Sequence, residues 1–62
     1  SVNFTTDYSL HKSIQKLMEQ FHFYELSENF ESQIVISGKI RKNEYSDFSK
    51  KLLDLSNGKI KL

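Results

Sequence analysis

The stretch "KKLLDLSNGKIKL", residues 50–62, decides how the chain must be read. Leu52 and Leu55 continue a helical spacing set earlier by Tyr45 and Phe48. Asn57-Gly58 then stops it, because glycine reaches the left-handed conformation that closes a helix without steric cost. The last four residues alternate, Ile60 and Leu62 on one face and Lys59 and Lys61 on the other. Alternation directly after a helix stop is the period of a strand, so "KIKL" reads as a strand that closes the fold.

N-terminal to this stretch, Asn43 reads as the N-cap of the second helix. Before it, "QIVISGKIR" (residues 33–41) places Ile34, Ile36 and Ile40 on one face and Val35, Ser37, Lys39 and Arg41 on the other. "FHFYELSENF" (residues 21–30) is aromatic with a polar tip. The two read as a hairpin turning through about Asn29 to Ser32. Upstream, Leu10, Ile14, Leu17, Met18 and Phe21 form one apolar stripe of a helix that Asp7 or Ser9 can cap. At the start, Val2 and Phe4 alternate with Asn3 and Thr5 as a strand with one buried face.

The order is therefore βαββαβ. Two amphipathic helices need a common surface, and a four-stranded antiparallel sheet supplies one, which is the ferredoxin-like α+β arrangement. Right-handed crossovers put both helices on the same face, with the strands in the order 4-1-3-2 and Ile60 and Leu62 in the core. The opposite face carries Asn3, Thr5, Val35, Ser37, Lys39, Arg41, Lys59 and Lys61. It is polar, mildly basic and uncovered.

Length and composition limit what such a fold can do. A chain of 62 residues is one domain, residues 1–62, and on folding buries only about 60% of the surface its unfolded form exposes. That leaves little room for a deep catalytic cleft. There is no cysteine, hence no disulfide framework or thiolate metal site. No apolar run approaches the roughly 20 residues needed to cross a bilayer. We read a soluble, cytoplasmic domain with no membrane partner, excised from the C-terminal part of a longer protein. Charge is uneven along it. Residues 1–37 set Lys12 and Lys16 against Asp7, Glu19, Glu25, Glu28 and Glu31, a balance of −3, whereas residues 38–62 carry +4.

No constellation for catalysis emerges. His11 and His22 are eleven apart, with no second ligand at metal-binding spacing on the helix, and read as surface or boundary residues. No serine sits in a nucleophile-elbow context, and Gly38 and Gly58 are too isolated to cradle phosphate. Glu25 and Glu28 read as solubilising charges on an edge strand. RNA-recognition domains share this topology and stack bases on aromatic residues of their central strands. Here Phe4 has the parity of the core and the third strand has no aromatic residue, so stacking of that type is not expected. Charge remains. Lys39, Arg41, Lys59 and Lys61 are the candidate nucleic-acid-binding residues, through salt-sensitive phosphate contacts blind to sequence. The alternative for the same residues is a solubilising surface.

"TTDYSLHKSIQKL" (residues 5–17) and "LLDLSNGK" (residues 52–59) resemble the two ends of the C-terminal domain of YigZ/IMPACT-type proteins. Asp7-Tyr8, Ile14-Gln15 and Leu52 to Gly58 stand where that family carries its motifs, and Phe30 stands where a tyrosine often precedes the third strand. Lys12 departs from a common glycine and Arg41 from a common proline. The resemblance implies a domain of unknown function similar to the last domain of elongation factor G. It implies an intracellular, non-catalytic accessory domain following a larger N-terminal domain, with no cofactor. RNA or the ribosome, or that N-terminal domain, is the implied partner in translation-related regulation. The other reading is a protein–protein interaction or dimerisation module of the regulatory-domain type, although such modules usually need a glycine-rich turn that "TTDYSLHK" lacks.

Overall fold

The structure, a computed structural model, describes residues 1–62. Strand β1 (Val2–Thr6) is followed by helix α1 (Tyr8–Met18), strands β2 (Phe23–Phe30) and β3 (Ile34–Ile40), a 3-10 turn (Lys42–Glu44) and helix α2 (Tyr45–Leu55). The strands form one antiparallel sheet in the order β1-β3-β2. The class is α+β, with two helices and three strands. The order 1-3-2 agrees with the sequence reading, but the fourth strand does not form: residues 59–62 have no regular structure.

What the alternation of "KIKL" captured is burial. Ile60 is 8% exposed and belongs to the core, while Leu62 packs against it half-buried. The helix stop is a Schellman motif. The Gly58 amide donates to the Leu53 carbonyl (2.7 Å) and the Asn57 amide to that of Asp54 (3.1 Å), with φ of 55° at Asn57 and 83° at Gly58. Ser56, 1% exposed, then ties the tail down. Its hydroxyl donates to the Leu53 carbonyl (3.2 Å) and accepts from the Ile60 amide (3.0 Å). Buried backbone groups need partners, and here a side chain supplies the one a neighbouring strand would have given.

The first helix begins as its sequence indicates. The Asp7 carboxylate accepts from the Leu10 amide at 3.0 Å, which satisfies an otherwise orphaned donor of the first turn. The second does not. Asn43 lies inside the 3-10 turn and caps nothing; α2 starts from Glu44 with no side-chain cap. Glu44 is drawn away to His22, accepting from its amide (2.9 Å) and facing its ring Nδ1 (3.0 Å). Tyr45, placed on the apolar stripe by spacing, is 38% exposed, and Phe21 lies beyond the end of α1.

One apolar cluster joins a single sheet face (Val2, Phe4, Ile34, Ile36, Ile40) to both helices (Ile14, Leu17, Met18, Phe48, Leu52). Phe48 is at its centre, with the rings of Phe23, Phe21 and Phe4 at 4.9, 5.4 and 6.3 Å. Full burial of a side chain of this size contributes roughly 1.5–3 kcal/mol, so a few such residues carry most of the stability available to so small a domain.

A bulge interrupts β2. Between the pairs Tyr24↔Lys39 and Ser27↔Ser37 the strand advances three residues against two on β3. Glu25 absorbs the extra residue at φ 54°, a left-handed conformation that is costly for a residue with a Cβ. Opposite, a Cβ on Gly38 would come within 2.7 Å of Leu26 Cδ2 and 3.4 Å of Leu26 Cα. Glycine is thus what lets Leu26 cross over β3, and Leu26, Glu28 and Phe30 consequently share the helix side of the sheet.

Candidate interaction surfaces

Strand parity builds the face opposite the helices. Asn3 and Thr5 of β1 lie across from Ser37 and Val35 of β3. Tyr24, Ser27 and Asn29 of β2 lie across from Lys39, Ser37 and Val35. No helix covers it. A shallow depression of about 290 Å³ on it lies among Ser1, Asn3, Glu25, Ser37 and Lys39.

All four candidate cations are exposed, and two of them, Lys39 and Lys59, lie toward opposite ends of β1. Lys39 is on the open face with its ammonium 3.4 Å from the Glu25 carboxylate. Both side chains are well exposed, so this pair adds little stability but offsets much of the local positive charge. Arg41 leaves β3 in extended conformation and its carbonyl accepts from the Glu44 amide at 3.0 Å. Lys59 comes back to Asp7, near enough to help lower the Asp7 pKa, behind the Ser9 hydroxyl and the Leu10 amide. Asp7 follows the last residue of β1, whereas Lys39 is beside its first, about 16 Å away along a five-residue strand. Lys61 is exposed and, without a fourth strand, has no assigned face.

The carboxylates expected to serve only solubility have particular partners. Glu28 Oε2 is 3.1 Å from His11 Nε2, at an imidazole only 17% exposed. The same imidazole meets the Phe30 ring edge-on at 5.5 Å, and the Tyr8 hydroxyl reaches over Phe30 to donate to the Glu31 carbonyl at 2.6 Å. These contacts moor α1 to the end of β2. At the other end, the His22 amide, and then its ring, hold the Glu44 carboxyl below the usual range for a glutamate. Each histidine faces one carboxylate, and nowhere do three or more His, Cys, Asp or Glu side chains converge as a metal site would need.

Between α1 and β2 runs a groove of about 630 Å³ on the helix side of the sheet, with Met18, Phe23, Leu26 and Phe30 as apolar walls and Glu19 and Glu28 at its margins. Sequence reasoning missed it. Phe23 has odd parity and Leu26 and Phe30 even parity, a slip that was the only signal in the chain that β2 carries an extra residue.

No helix is long and apolar enough to cross a membrane. No curated protein and no solved structure matches the chain. Residues 4–59 match the family model of a domain of unknown function, DUF1949, and with that match spanning nearly the whole chain the protein belongs to this family, the domain found at the C-terminus of YigZ/IMPACT proteins.

Proposed function

We propose that this is a non-catalytic accessory domain that works by docking, and that its docking surface is the sheet face left open by the helices. One observation carries this reading: Asn3, Thr5, Ser37 and Lys39 surround the half-buried Val35 on a face that no helix covers, while the buried apolar side chains of the sheet lie on the other side. The preceding domain of a YigZ/IMPACT-type protein is the partner that family membership favours. The ammonium of Lys39, the candidate cation in the strand that centres this face, already meets the Glu25 carboxylate, which favours a polar protein partner over phosphate.

Contact with RNA or the ribosome in translation-related regulation is the second reading, supported by the exposure of Lys39, Arg41, Lys59 and Lys61. Phosphate-directed binding by about four cations would be micromolar or weaker and would fall steeply with salt. The fold reading that accompanies both is the full ferredoxin-like one, with residues 59–62 pairing along the free edge of β1 in the assembled protein. Support comes from the burial of Ile60 and the packing of Leu62 against the same core, the alternation expected of a strand.

Backbone chemical-shift mapping tests the choice, with the domain titrated separately with the preceding domain and with a single-stranded RNA at low salt. Shifts at Asn3, Thr5, Ser37 and Lys39 with the protein partner support docking. RNA-induced shifts that vanish in the Lys39→Gln, Arg41→Gln, Lys59→Gln, Lys61→Gln variant support the second reading. No shift on the open face with either partner refutes both.

A further inference from the structure

The groove between α1 and β2 is separate from the open sheet face, and three observations bear on what it accepts. The first is an unused edge. β2 pairs only with β3, so its outer edge presents backbone donors and acceptors without partners in the sheet. The bulge confines regular geometry to Ser27–Phe30, where the register with β3 is unbroken.

The second is apolar surface where the fold does not need to expose it. Leu26 and Phe30 point to the helix side yet are 51% and 58% exposed, because α1 leaves them uncovered. Their neighbour on that side is Glu28. It engages His11 through one oxygen, and its other oxygen has no protein partner. A strand added to β2 would project alternate residues about 7 Å apart onto the same side. Those residues would meet Glu28 and Phe30 within the regular pairing, and the next one would reach Leu26 where the bulge ends it.

The third is charge. Glu19 and Glu28 line the groove, Glu31 follows the end of the edge strand, and no lysine or arginine lies among the lining residues or within β2. A second copy pairing antiparallel through the same edge would bring Glu28 against its own kind, and like charges across a strand pair are unfavourable. A basic segment has the complementary sign.

We propose that β2 and the adjoining groove bind an extended peptide segment of a protein partner by strand addition, with the pattern apolar-x-Lys/Arg-x-apolar. The apolar side chains cover Leu26 and Phe30 and the cation meets Glu28. Main-chain hydrogen bonds to the β2 edge give affinity, and the alternating side chains give selectivity, as in other edge-strand recognition.

The test uses a dye-labelled peptide, Ser-Thr-Leu-Thr-Lys-Thr-Leu-Thr-Ser, and the same peptide with glutamate in place of lysine, read by fluorescence anisotropy and amide-shift mapping. The lysine peptide should bind in the micromolar range and shift residues 26–30, His11 and Met18. Leu26→Ser should weaken it about tenfold, the loss of one buried aliphatic contact. Glu28→Lys should weaken the lysine peptide about fivefold and strengthen the glutamate peptide. Glu28→Gln, which keeps a polar group facing His11, should weaken the lysine peptide without reversing the preference, so a loss of folding cannot imitate the result. Three outcomes would overturn the proposal: no binding at millimolar peptide, equal binding of both peptides to all variants, or shifts confined to the open face.

Discussion

Replacing Ile60 by alanine tests whether four residues without secondary structure hold this fold together. Ile60 is 8% exposed, sits in the same cluster as Phe48 and Leu52, and is reached only through the Schellman turn at Asn57-Gly58. Truncating a buried isoleucine to alanine costs about 2–4 kcal/mol, the transfer of the lost methylenes plus the cavity they leave. A domain of this size has roughly 3–9 kcal/mol in total. At about 4–8 °C per kcal/mol, Ile60→Ala should lower the melting temperature by about 8–30 °C, and the urea midpoint by about 2 M or more. Lys61→Ala, one residue along and exposed, should stay within about 0.5 kcal/mol of the parent. Ser56→Ala should fall between them, because it leaves the buried Ile60 amide without its acceptor, a loss of roughly 1–3 kcal/mol. Circular dichroism melts and urea titrations on the three variants give the comparison. If Ile60→Ala melts within about 3 °C of the parent, the segment is a loose tail and its role in closing the core is wrong.

Two further perturbations probe the site-bearing elements. Gly38→Ala should cost about 1 kcal/mol by forcing Leu26 off its rotamer, and adding Leu26→Ala should recover most of it; a double-mutant cycle on urea midpoints that shows simple additivity would mean that the close approach at the bulge is unimportant. The Glu44 carboxyl titrates lower in the folded chain than its ordinary value of 4.5, owing to the His22 amide and ring, so it contributes stability above about pH 4.5 that is lost as pH falls through its folded value. Glu44→Gln should therefore flatten the acid limb of the stability profile and leave the shape of the profile above pH 5 less affected; an unaltered acid limb would show that the pairing is absent in solution.

Much of this protein is local and so legible in its sequence. Val2, Phe4, Ile34, Ile36 and Ile40 alternate because strand side chains have period two, and Ile14, Leu17, Phe48 and Leu52 recur at helical spacing. Asp7 announces the first cap, and Asn57-Gly58 the last stop, because side-chain oxygen and left-handed backbone act within a few residues. The four candidate cations are exposed as their parity indicates, but whether they share a patch depended on a strand that residues 59–62 do not form. Alternation reports which side chains are buried. It cannot report whether the backbone between them pairs with β1 or, as here, with the Ser56 hydroxyl.

The remaining features arise between segments remote in sequence, where tertiary packing decides. Asn43 has the chemistry of a cap, yet the chain enters α2 through a 3-10 turn because Glu44 is held by His22, 22 residues away. Glu28 reads as a surface charge until the packing of α1 sets His11 against it, 17 residues back. The bulge at Glu25 needs a glycine on the neighbouring strand, and only that pairing turns Leu26 to the helix side and opens the groove along α1. Periodicity alone yields the α+β class, the order of the three strands and two helices, and most of the core. Which carboxylate meets which histidine, and which apolar side chains stay exposed, followed only when the helices settled on the sheet, because those contacts depend on distances in space that no local pattern encodes.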